Sequence, residues 1–161
     1  MTTIIKRARI EDVEIITEML VQLASEIGDS HKFESDADAI RRYGFGEKSL
    51  FQCFIADCRG IHQGLALFFP EFSTTRGKPG VYVQDLWVSE GARGQGLGGR
   101  LLAAVAAHAA SEWQAGYLKL TVNADNSAAA EFYRRLGFLG GELDRPVSVY
   151  GTAFEKLRDQ I

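Results

Sequence analysis

The densest chemical signal lies between a predicted strand and a predicted helix: Val88-Ser89-Glu90-Gly91-Ala92-Arg93-Gly94-Gln95-Gly96-Leu97-Gly98-Gly99-Arg100. Glycine inside a helix costs about 1 kcal/mol relative to alanine, so Gly96, Gly98 and Gly99 at a helix start need an offsetting gain. A bound anion supplies one. Backbone N–H groups without neighbouring side chains approach a phosphate closely. The first helical turn adds unpaired N–H groups and the positive end of the dipole. Arg93 and Arg100 can contribute charge. The plainer alternative is a loop whose glycines only permit sharp turning and close helix–sheet packing.

Two phosphate-binding patterns compete for this segment. The Gly-Lys-Ser/Thr ending of a nucleoside-triphosphate loop is absent. Gly94-x-Gly96-x-x-Gly99 fits a dinucleotide fingerprint, with Asp125 beyond the next strand as a ribose acceptor. Against that rival, Gly94 lies well past the strand end at Val88 and three strands precede the unit. The 161 residues also leave no room for two nucleotide halves and a substrate domain.

The elements that must position this loop follow from hydrophobic period and punctuation. Thr3–Arg9 reads as a strand. Val13, Ile16, Leu20, Leu23, Ala24 and Ile27 recur at helical spacing after Asp12, and Gly28 stops the run. Ser35 and Asp38 resemble a capping arrangement for a short helix reaching about Tyr43. Leu50–Asp57 and Ile61–Phe69 predict a hairpin of two strands. Glu71–Gly80 reads as a loop and Val81–Val88 as the clearest strand. A helix with the stripe Leu97, Leu101, Val105 and Ala109 runs until Gly116. Tyr117–Val122 is a strand, and Ser127–Leu136 a helix ended by Gly137. Phe138–Leu143 and Val147–Leu157 read as the last strands. Adjacent strands imply antiparallel pairing, and the strand–helix–strand from Val81 to Val122 implies a parallel pair. The expectation is one α/β (α+β) domain over residues 1–161: a mixed sheet of about seven strands flanked by four helices.

Composition sets outer bounds. Hydrophobic residues make up 46% and charged residues 24%, which excludes a disordered chain. A net charge of −3 argues against nucleic-acid binding through clustered positive charge. Cys53 and Cys58 match no zinc spacing, and the three histidines suggest no ligand pair, so no metal is expected. Cys53 reads as a small core residue. Met1–Ile10 lacks the apolar run of a signal peptide, and Leu101–Ala110 is too short to span a bilayer. These features predict a cytoplasmic protein with no membrane partner.

Arg93-Gly94-Gln95-Gly96-Leu97-Gly98 resembles the Gln/Arg-x-x-Gly-x-Gly/Ala signature of the GNAT-type N-acetyltransferases, which use acetyl-coenzyme A. Asn126-Ser127-Ala128-Ala129-Ala130-Glu131-Phe132-Tyr133-Arg134-Arg135-Leu136-Gly137-Phe138 is similar to the family's later motif, an Asn followed by Tyr seven residues on and then by Gly-Phe. The predicted element order matches as well, over essentially the whole chain. Within the family, Tyr43-Gly44-Phe45-Gly46-Glu47 and Val83-Gln84-Asp85-Leu86-Trp87-Val88 look like the diamine subgroup, of spermidine/spermine or thialysine type.

The resemblance implies a reaction and a set of roles. Acetyl-coenzyme A would give its acetyl group to a primary amine of a small molecule, a polyamine, diamine or amino-acid-like compound, in a ternary complex. Arg93, Gly94, Gln95, Gly96, Leu97, Gly98 and Gly99 would hold the pyrophosphate. Leu86, Trp87 and Val88 would lie beside the pantetheine arm, and an N–H near Val88 would polarise the thioester carbonyl. Asn126 would hydrogen-bond the cofactor. Tyr133 would protonate the leaving thiolate, uphill from a phenol near about 10 to a thiol near about 8.5 unless position or charge closes the gap. Gln84 stands where the subgroup often has Glu and cannot accept a proton. Asp85 is expected on the opposite side of the strand. Both would contact the substrate, and the general base is open. The acidic residues Glu26, Asp29, Glu34 and Asp36 fall in the region that would cover the acceptor. A homodimer is implied, with Val147–Leu157 as its contact. A protein N-acetyltransferase and a non-catalytic acetyl-coenzyme A module are the alternatives.

Overall fold

The sheet is organised by one long hairpin. In the computed structural model, which describes residues 2–140 and 151–159, β3 (Ile61–Ser73) and β4 (Lys78–Val88) pair antiparallel along nearly their whole length. β2 (Gln52–Cys58) lies antiparallel on the other side of β3, and β1 (Ile4–Arg7) beyond it. β5 (Leu118–Leu120) pairs parallel with β4, giving the order β1-β2-β3-β4-β5. The parallel pair is the one expected from the strand–helix–strand pattern. The β2–β3 turn places Arg59 and Gly60 at φ of 54° and 84°, a two-residue geometry that matches the strand twist.

Each face of the sheet buries one main helix. On one face α1 (Val13–Glu26) packs Val13, Ile16, Met19 and Leu20 into a cluster with Cys53, Ile55, Leu65, Leu67 and Trp87. On the other, α3 (Leu97–Trp113) buries Leu97, Leu101, Leu102, Val105 and Ala109. Its His108 meets Phe54 and Phe68 edge-on at 5.4 and 5.8 Å. α2 (Ala37–Phe45) packs beside α1. These elements form one compact unit, Met1–Val122. A second unit, Asn123–Ile161, contains α4 (Ser127–Arg135) and α5 (Gly151–Arg158).

Several boundaries differ from the sequence reading. Most of the loop expected over Glu71–Gly80 is strand: the hairpin runs to a turn at 74–77, held by Gly77 N–H to Ser73 O at 2.8 Å and by Phe69 stacked on Tyr82 at 5.3 Å. Asp36, not Ser35, caps α2, accepting the Ala39 N–H at 2.7 Å. α3 ends before Gly116 because Gln114 takes the left-handed position, with φ 56°. The strand expected over Val147–Leu157 is corrected from Gly151 onward, where α5 stands; Ala153, Glu155 and Lys156 are good helix formers. Of the strand expected over Phe138–Leu143, residues 138–140 are not strand and the rest lies outside the described residues, as does 147–150. The described sheet therefore has five strands rather than about seven.

Candidate active site

The centre of β4 breaks its own alternation. Leu67 pairs with Asp85 and Phe68 with Val83, so Gln84 is an extra residue without a cross-strand partner, a β-bulge. In a regular strand Gln84 and Asp85 would face opposite sides. Here both line one cleft, and Gln84 Nε2 donates to Asp85 Oδ2 at 3.2 Å. This corrects the expectation that Asp85 points away. Burial pushes the Asp85 carboxyl above the usual carboxylate range, opposed by the Gln84 hydrogen bond. Among the described residues no cationic side chain pairs with it.

The cleft has a volume of about 660 Å³, an ordinary size for a small-molecule site. Its walls are mostly apolar. α1 supplies Leu20 and Leu23, its C-cap residue Ile27 adds a third aliphatic side chain, and the sheet supplies Leu67 and Phe69. Phe33 and Phe51 close it from the connections on either side of α2, with Tyr43 between them. The four acidic residues expected near the acceptor divide. Asp29 lines the cleft but pairs with Lys32 at 2.7 Å, which holds its carboxyl low. Asp36 is the helix cap, Glu34 is exposed, and Glu26 belongs to a different network.

That network ties the end of β4 to α1. Trp87 Nε1 donates to Glu26 Oε1 at 3.1 Å, and Arg93 forms an ion pair with the same carboxylate. Arg93 Nε also donates to Val88 O at 2.8 Å. The guanidinium is thus engaged within the protein, as is that of Arg100, which reaches Thr3 O at 2.6 Å. Trp87 is buried toward α1, while Leu86 pairs across from Ala66 on the opposite face. Ser89 N–H donates to Gln63 O at 2.9 Å. Antiparallel ladders alternate, so the backbone groups of Val88 and Leu86 point to the other edge. There β5 pairs only as far as Val83; among the described residues the backbone groups of Leu86 and the Val88 N–H on that edge have no partner, while Val88 O accepts from Arg93.

The glycine loop follows directly. Gly94 and Gly96 are left-handed, with φ of 74° and 75°, a conformation that costs other residues roughly 1–2 kcal/mol. Helical bonding starts at Arg100 N–H to Gly96 O, 3.1 Å. The amides of Gly94, Gln95, Gly96, Leu97, Gly98 and Gly99 donate to no acceptor among the described residues. Gln95 Nε2 braces the loop on Gly91 O at 3.2 Å. The result is an exposed run of N–H donors at the positive end of α3, suited to an anion.

In the second unit, Asn126 caps α4 by accepting the Ala129 N–H at 3.0 Å. Tyr133 sits two turns on, half-buried between Phe132 and Phe138 at 5.0 and 5.3 Å between ring centres. Its hydroxyl has no partner among the described residues, and burial pushes its pKa up.

A family model described as acetyltransferase (GNAT) family matches residues 17–138. The chain belongs to the GNAT acetyltransferase family. It is an acetyl-coenzyme A-dependent N-acetyltransferase. It is 32% identical over 144 residues to a thialysine N-epsilon-acetyltransferase of Mus musculus, covering 84% of each chain. It is 31% identical over 84 residues to a spermine/spermidine N(1)-acetyltransferase of Bacillus subtilis (strain 168), covering 50% of this chain and 55% of that one. An integron cassette protein from the mobile metagenome of V. cholerae shares the fold, with a TM-score of 0.80 at 22% identity over 99% of both chains.

Two features of this GNAT chain fit acetyl-coenzyme A: the amides from Gly94 to Gly99 and the β4 edge at Leu86 and the Val88 N–H, all without a partner among the described residues. The described residues include no group of three or more His, Cys, Asp or Glu placed to hold a metal ion. None of their helices is long and apolar enough to cross a membrane. Sequence reasoning missed the bulge and Glu26 as the partner of Trp87 and Arg93. It also missed Gly64, where a Cβ would meet Trp87 O at 2.7 Å. A lone glycine between His62-Gln63 and Leu65 was the available signal for that close approach.

Proposed function

We propose that the enzyme acetylates the primary amine of a small molecule by direct attack in a ternary complex, with the cleft beside Gln84 and Asp85 as the acceptor site. The observation that carries this reading is the bulge, which brings a half-buried carboxyl without a cationic partner into a cleft on the strand that leads to the donor loop. The thialysine and spermine/spermidine acetyltransferases among its relatives favour a small amine over a peptide, and so does a cleft of about 660 Å³.

Acetyl-coenzyme A supplies an acetyl group activated as a thioester. The amides of Gly94 to Gly99 hold its diphosphate, and the free edge at Leu86 and Val88 aligns the arm. Val88 N–H lies on that edge and stabilises charge growing on the carbonyl oxygen. Asp85, oriented by Gln84, holds the acceptor ammonium and takes up or relays its proton. Asp85 is weaker than an amine as a base by several pK units, even when raised, so the apolar walls assist by disfavouring the ammonium. The amine nitrogen then bonds the carbonyl carbon, the carbon–sulfur bond breaks, and sulfur takes a proton. Tyr133 is the proposed donor. Burial raises its pKa and makes the phenol a weaker acid, while the same burial makes a desolvated thiolate more basic and offsets part of that gap. Asn126 is the proposed cofactor contact through the amide nitrogen that its capping bond leaves free. Both units act as one domain in this reading, in a cytoplasmic homodimer.

Direct attack is favoured because both cysteines are buried and burial pushes the Cys53 thiol up, away from the reactive thiolate an acyl-enzyme needs. Initial rates against both substrates test the order of events. Intersecting lines are expected, and parallel lines would overturn the ternary complex.

A further inference from the structure

We infer that the acceptor is a primary monoamine with an apolar aliphatic or aryl body, rather than a polyamine, a substrate class that rests on the cleft being the acceptor site. The cleft holds two carboxylates, Asp29 and Asp85. Asp29 is paired with Lys32 at 2.7 Å, so the charged side chains lining the cleft sum to −1. One negative charge therefore remains for a ligand. Glu26, the nearest further acidic side chain on α1, is committed to Trp87 and Arg93.

A polyamine brings two or more ammonium groups into this space, and each buried charge needs a partner. The second one would find Leu23, Ile27, Phe33, Phe51 and Phe69 on the walls and the like charge of Lys32 at the mouth. An acceptor rich in hydroxyls would find side-chain partners only at Asp29, Lys32, Ser35, Tyr43, Gln84 and Asp85, and apolar side chains elsewhere on the walls. A monoamine meets neither. Its ammonium takes the single free carboxylate of Asp85, and its body replaces water against aliphatic and aromatic side chains.

The test is thiol release from acetyl-coenzyme A by the intact enzyme with n-alkylamines from propylamine to heptylamine and with 1,6-diaminohexane and spermidine. kcat/KM is expected to rise about fourfold per methylene until the cleft is filled, the equivalent of burying a CH2 group. Hexylamine is expected to exceed 1,6-diaminohexane at least tenfold. Lys32 is well exposed, so Lys32→Ala should fold; by freeing Asp29 it is expected to narrow that ratio severalfold. A diamine that equals or beats the monoamine of the same length would overturn the inference while leaving the acetyl-transfer reading standing. A hexylamine-to-diamine ratio unchanged in Lys32→Ala would overturn the role given to charge. Thiol release with none of these amines, despite bound coenzyme A, would overturn the acceptor-site reading together with the inference.

Discussion

From Gly94 to Gly99 the donor side offers main-chain N–H groups, shaped by two left-handed glycines. The cleft is walled by side chains from α1, the segments around α2, β3 and β4. The loop can bind any diphosphate carrier of suitable shape, because amides read charge and not identity. In the proposed reading the cleft selects its ligand by shape and by one carboxyl. In the proposed reading the difference separates the two tasks of a group-transfer enzyme: the donor is held by main-chain groups and the acceptor by side chains. Glu26 joins the two, since it sits on α1, which lines the cleft, and bonds Trp87 at the end of β4 and Arg93 just before the glycine loop.

Substitutions on each side should therefore fail in different parameters. The largest effect is expected at Asp85. Asp85→Asn should lower kcat/KM for the amine by about 100-fold or more, the usual scale of a lost acid–base group, with little change in coenzyme A affinity. The acid limb of the kcat/KM profile should lie above the ordinary carboxylate range in the wild type and vanish in the variant. Stability should move the other way. Because the folded pKa of Asp85 is raised, the native state binds the extra proton between the unfolded value, about 3.9, and its own. Wild-type stability thus falls as pH climbs through that window and stays lowered above it. Asp85→Asn should melt at a higher temperature than wild type at pH 7.

Tyr133→Phe comes next, with kcat reduced about 100-fold and coenzyme A affinity nearly intact, checked by single-turnover kinetics and calorimetry. Wild-type turnover would remove the phenol from the mechanism. On the donor side, Gly96→Ala meets no steric obstacle, since a Cβ there has nothing within 4 Å. Its cost is conformational, about 1–2 kcal/mol in denaturant melts. It should raise the KM for acetyl-coenzyme A while the amine KM stays put. The smallest effect is expected at Glu26→Gln, a few-fold change in both KM values, because the half-exposed ion pair contributes little by itself. A change confined to the amine KM would break the link assigned to Glu26.

The same contrast explains what the sequence could disclose. A left-handed backbone restricts residue type at its own position, so Gly94 and Gly96 announce the loop without knowledge of the fold. The cleft depends on partners far apart in the chain. Gln84 and Asp85 look like alternating strand residues until β3 supplies a register that skips one of them. Glu26 and Asp29 look alike on paper, yet one meets Trp87 and Arg93 and the other Lys32. Long elements such as α1 and α3 were legible because burial follows one helical period along them. The helix at Gly151–Arg158 was not, since eight residues barely distinguish the periods.

The central claim concerns the amides of Gly94 to Gly99, and their NMR resonances test it directly. Titration with coenzyme A should shift these six amides most strongly, whereas pantetheine, which lacks the diphosphate, should leave them nearly unmoved. Equal shifts with both compounds, or none with coenzyme A, would contradict the assignment of the loop as the diphosphate site.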